Sequence, residues 1–109
     1  MALDIRELSS TMLEAAGGVL GDRLPDVLDV TLPELESIAG NLVRIEKLRI
    51  EGPISESQAQ RQVRMQQRTA QSVLLTKTGL SALAVEEAIN AALEAVAGTV
   101  NSAVGFKVL

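Results

Sequence analysis

The chain has 109 residues and a net charge of −4, with no His, Cys, Trp or Tyr and a single Phe. That inventory removes the commonest general base, the usual zinc and iron ligands, the thiol nucleophile and nearly all stacking surface, so no catalytic site, metal site or cofactor is expected. One helical domain spanning 1–109 is expected, with a thin aliphatic core, because much of the 47% apolar content is alanine.

The charge is unevenly laid out. Residues 1–36 hold eight acids and two bases, whereas residues 57–80 hold four bases and no acid. An acidic helix packed beside a basic one is the plain expectation. The opening MALDIRELSS carries Asp4, Arg6 and Glu7 and lacks the apolar run of a secretion signal, and a cysteine-free chain suits any compartment, so a cytoplasmic protein is expected.

Taken in chain order, the periodicity is helical throughout. From Leu3 to about Leu20, the residues Leu3, Leu8, Met12, Ala15, Ala16 and Val19 share one broad apolar sector. Gly17 and Gly18 then predict a stop near Ala16, with a weakened, close-packing last turn as the alternative. Gly21 to Val30 reads as a connector with one helical turn, Pro25 suiting a first turn. Thr31, Leu32, Pro33 and Glu34 form a capping-box pattern with Pro in the first turn, which predicts a helix start at Thr31. The stripe of Leu35, Ile38, Leu42 and Ile45 carries that helix to about Glu51, where Gly52 and Pro53 end it.

Ser55 with Gln58 offers a second capping box, opening a polar segment rich in Gln and Arg that runs to Thr78. A helix this polar needs neighbours to hold it, and a solvated face is expected for it. Gly79 is either a turn or a bend within one long helix. A turn gives a compact bundle, and continuity gives an elongated hairpin or rod. The last helix, Leu80 to about Val104, is apolar over most of its circumference and carries a seam of small residues: Ser81, Ala84, Ala88, Ala91, Ala95, Gly98, Ser102 and Gly105. Residues three and four apart share a helix face, so this line lets another helix approach closely.

The candidate sites are few. Arg61, Arg64 and Arg68 share a face that suits an anionic partner, with a solvated face pairing with Glu34, Glu36 or Glu46 as the ordinary alternative. Nucleic acid is not the expected partner, since the chain is acidic and lacks aromatics and any recognition motif. Glu87 and Glu94, with Asn90 between them, lack the third ligand a metal needs. Gly17, Gly18 and Gly21 lack the Lys and the preceding strand of a phosphate loop. The uncharged run from Ala95 to Phe106 is too short to span a bilayer, which takes about 20 residues, although surface association is compatible with it.

The expectation is therefore an all-α protein of three to four helices, without catalytic activity, that self-associates through its C-terminal helix. The anticipated role is structural, as in a phage particle or another large assembly. The alternatives are an adaptor docking on a different helical partner and a membrane-active module.

Overall fold

The computed structural model describes residues 3–52 and 54–109 and contains four α-helices. The first, α1 (Ile5–Leu20), starts at Asp4, whose carboxylate accepts the Glu7 backbone N–H at 3.0 Å. An oxygen side chain there satisfies one of the four free amides that every helix start presents. Leu8, Met12, Ala16 and Leu20 then form a buried line at four-residue spacing. The helix does not stop at Ala16. It runs through Gly17 and Gly18 because Gly17 lies against Leu24, where an added Cβ would stand 3.0 Å from Leu24 Cδ2. The glycine admits the next helix, and the stop falls at Gly21, whose φ of 55° and ψ of −126° suit no other residue type well.

A three-residue 3-10 turn, Gly21–Arg23, leads directly into α2 (Leu24–Glu51). Pro25 occupies the first turn of α2, as its fixed φ predicts. The connector expected over 21–30 is helical from Leu24, and the start expected at Thr31 is helix interior, with Pro33 inside the helix. The reason is packing. Val27 and Thr31, both upstream of the proline, prolong the stripe of Leu35, Ile38, Leu42 and Ile45 by two more four-residue steps, and all six are buried. Pro33 itself is exposed, so the carbonyl that loses its partner, four residues back at exposed Asp29, is open to water. One consequence is that Thr31 is 1% exposed and its hydroxyl oxygen has no hydrogen-bond partner.

Gly52 ends α2 in the left-handed conformation at φ 97°, and Pro53, expected to assist, lies outside the described residues. The third helix, α3 (Glu56–Thr78), opens on the predicted capping box. Ser55 Oγ accepts the Gln58 N–H at 3.1 Å while Gln58 Oε1 accepts the Ser55 N–H at 2.9 Å. It buries only Ala59, Val63, Ala70 and Leu74, consistent with its polar sequence. Gly79, at φ 71°, is a turn, and α4 (Ala82–Val104) begins after Ser81. The elongated alternative is thereby excluded.

The helices form a bundle 41 Å long and 22 by 18 Å across. Packing is densest between α1 and α4, then between α2 and its neighbours α1 and α3, and thinner between α3 and α4. Among the described residues α1 and α3 do not meet. The core is aliphatic, with Ala39, Ala59, Ala70, Ala88 and Ala92 buried among its larger side chains. Small residues there let the helix axes approach towards the close end of the roughly 8–10 Å range.

Candidate functional site

The seam does not lie on one side of the core. Ser81 caps α4, its hydroxyl accepting the Ala84 N–H at 3.1 Å, and Gly105 closes it in the left-handed conformation at φ 92°. Between these ends Ala84 and Ala91 are half-buried, Ala88 is buried, and Ala95, Gly98 and Ser102 are exposed. A strict seven-residue repeat drifts by about 20° per heptad around a straight α-helix, so the line leaves the core as it proceeds. Its first half packs inside the chain and its second half faces outward. An added Cβ at Gly98 would meet nothing within 4 Å. A helix-interior glycine costs about 1 kcal/mol relative to alanine, and the packing of the chain itself gives no reason for this one.

Beside the outer half of the seam, α1 and α4 border a groove of about 430 Å³. Its floor is Leu8 and Val96, with Leu3 and Ala103 at one end and Ala95 and Ser102 on the α4 edge. Asp4 and Glu7 stand on the α1 edge and are the only ionisable residues lining it among the described residues. Arg6 lies on the outer flank, grouped with Asp4 and Glu7 in a shallower depression.

A second groove, of about 500 Å³, separates α3 from α4 where their packing is thin. Val63, Leu93 and Val108 line it with Arg64, Glu94 and Lys107. Gln67 Nε2 donates to Asn90 Oδ1 at 3.0 Å across it, and Gln60 Nε2 donates to the Lys107 carbonyl at 2.7 Å. The predicted arginine face is thus divided. Arg64 borders this groove near the acidic Glu94, while Arg61 and Arg68 are exposed with Met65, itself 63% exposed, between them. The pairing expected with Glu46 does not form, because Glu46 is buried and its carboxylate accepts the Leu3 N–H at 2.7 Å. Glu86, Glu87 and Glu94 are exposed, and among the described residues no three His, Cys, Asp or Glu side chains are placed to hold a metal ion. Nor, among those residues, is any helix long and apolar enough to cross a membrane.

No family model matches the chain, and neither does a curated protein or a solved structure.

One polar device was not anticipated from sequence. After Gly105 the chain folds back, and Asn101 Oδ1 accepts both the Val108 N–H at 2.8 Å and the Leu109 N–H at 3.1 Å. Val108 is buried as a result, and Phe106 lies under the Arg49 guanidinium, 5.3 Å from the ring centroid. The signal available was Gly105 as a helix stop followed by the apolar run Phe106, Val108 and Leu109, which has to return to the bundle to be buried. Asn101→Ala is expected to cost about 1–2 kcal/mol through two unpaired amides. Faster hydrogen exchange at Val108 and Leu109, with unchanged protection in α1, would report the loss. Unchanged exchange at those two amides would deny Asn101 the role.

Proposed function

We propose that this chain is a non-enzymatic structural protein that self-associates through the outer half of α4 and is held within a larger assembly such as a phage particle. The observation that carries this reading is the exposed run of Ala95, Gly98 and Ser102 on an apolar helix, next to an unfilled groove with apolar floor residues Leu8 and Val96. A helix that dispenses with side chains where its own fold does not require it offers close backbone approach to something outside the chain. The thin core agrees with this, since copies that bind one another add burial that a small helical chain lacks.

The test is the solution mass of the full chain by light scattering across a concentration range, for the native sequence and for Gly98→Leu. A multimer is expected for the native chain and a monomer for the variant, through overpacking at the contact. Because the position is open within the monomer, the same substitution should leave the fold intact and raise its stability by up to about 1 kcal/mol through helix propensity. Loss of assembly together with equal or higher thermal stability separates an interface effect from unfolding. A multimer unaffected by Gly98→Leu would refute α4 as the association surface.

A further inference from the structure

We propose that the α1/α4 groove receives α3 of a second copy of this chain, so that copies join head to tail; this rests on the self-association reading and supplies its partner surface. The groove has an apolar floor at Leu8 and Val96 and an acidic edge at Asp4 and Glu7, with no Lys or Arg lining it among the described residues. The outward line of α3 is its complement. Arg61, Met65 and Arg68 follow one another at four and three residues, all exposed, in a segment that holds no acid from residue 57 to residue 80.

The dimensions agree. Arg61 to Arg68 spans seven residues, roughly 10 Å of helix, and the α4 edge from Ala95 to Ala103 spans eight, roughly 12 Å. Met65 then enters the groove between two guanidinium groups that meet the carboxylates on its edge. An unbranched thioether suits an irregular apolar cleft, and guanidinium to carboxylate is the strongest of the ordinary ion-pair geometries. The small α4 edge at Ala95 and Ser102 lets the incoming helix settle against it.

Among the described residues α1, which carries the acidic edge of the groove, does not touch α3, so a protomer presents that edge and its α3 line separately. A contact between unlike surfaces is heterologous. It repeats from copy to copy, closing into a ring or continuing as a filament according to the rotation between neighbours. An acidic peptide or a nucleic acid would meet repulsion at Asp4 and Glu7, whereas a second copy brings the matching charge.

The experiment uses the full chain and two sets of substitutions at exposed positions: Arg61→Glu with Arg68→Glu on α3, and Asp4→Asn with Glu7→Lys on the groove. Asp4→Asn retains the oxygen that caps α1. Each set alone is expected to weaken association on the order of a hundredfold by placing like charges together, with helicity unchanged by circular dichroism. A chain carrying both sets brings opposite charges together again, one cation on the groove edge against two carboxylates on α3, and should recover a multimer. Several results would overturn the proposal. If the α3 set leaves the multimer intact while Gly98→Leu dissolves it, α4 is the interface and α3 is not its occupant, and the assembly reading survives. If each set dissolves the multimer and their combination fails to restore it, these faces do not pair. A native chain that is monomeric at every concentration overturns both readings.

Discussion

Pro33→Ala is expected to stabilise the monomer by about 2 kcal/mol, the interior-proline penalty of roughly 3 kcal/mol less the unfolded-chain entropy that proline removes. For a chain of this size that corresponds to a rise in melting temperature of roughly 8–12 °C. The basis is geometric. Pro33 lies inside a helix of 28 residues, nine beyond its first residue, on the exposed side. Alanine there would restore the hydrogen bond to the Asp29 carbonyl without entering the core. Thr31 provides the companion test, and its sign decides between two states of the chain. In the continuous helix the Thr31 hydroxyl is buried without a partner, so Thr31→Val should stabilise by about 1–2 kcal/mol. Were the helix to begin at Thr31, that hydroxyl would be a cap, and the same substitution would cost about 1 kcal/mol. Thermal unfolding of the two variants reads both signs directly, and a destabilised Thr31→Val would mean that α2 breaks there in solution.

The second large effect lies at the centre of α2. Leu42→Ala is expected to cost about 3–4 kcal/mol, the sum of lost transfer free energy and an unfilled cavity. Leu42 is fully buried in the helix that packs against all three of the others. The same core holds buried alanines such as Ala39 and Ala92, which have no side-chain length with which to fill the space. Total stability for a chain of this length is about 5–15 kcal/mol, so the substitution removes a large part of it. The readout is the urea midpoint at constant slope. A loss below about 1 kcal/mol would mean that the bundle collapses around the site far more readily than its alanine-rich core suggests.

The sequence was legible wherever a local pattern and the tertiary packing agreed. Ser55 with Gln58, Gly52 and the stripe from Leu35 to Ile45 all behave as their spacing predicts. It misled at Gly17 and at Thr31, and for one physical reason. Both are positions where a sound local signal, a glycine pair in one case and a capping box in the other, is outweighed by burial. Leu24 needs the space at Gly17, and Val27 needs the helix upstream of Thr31 to reach the core. Neither requirement is visible within one turn of sequence. The candidate surface was legible in part. The seam was apparent as a line of small residues, but which half faces outward depends on the drift of that line against the buried stripe of Val85, Ile89, Val96 and Val100, which only the fold determines. The groove with Asp4 and Glu7 on its edge joins residues some ninety positions apart, beyond the reach of any local reading.

The dense pairing of α1 with α4 has a consequence for how the protein is made. They are separated in sequence by α2 and α3, and they become neighbours only when α4 has been added. On the ribosome, at roughly 5–20 residues per second, the 84 residues from Leu20 to Val104 take about 4–17 s to add. Throughout that interval α2 can cover one flank of α1, while the flank bearing Leu8 waits for Val96 to emerge. The nascent chain therefore carries an uncovered aliphatic strip for seconds, a natural target for a holding chaperone. Newly made copies crowded on one message would be prone to bind through that strip before any of them is complete.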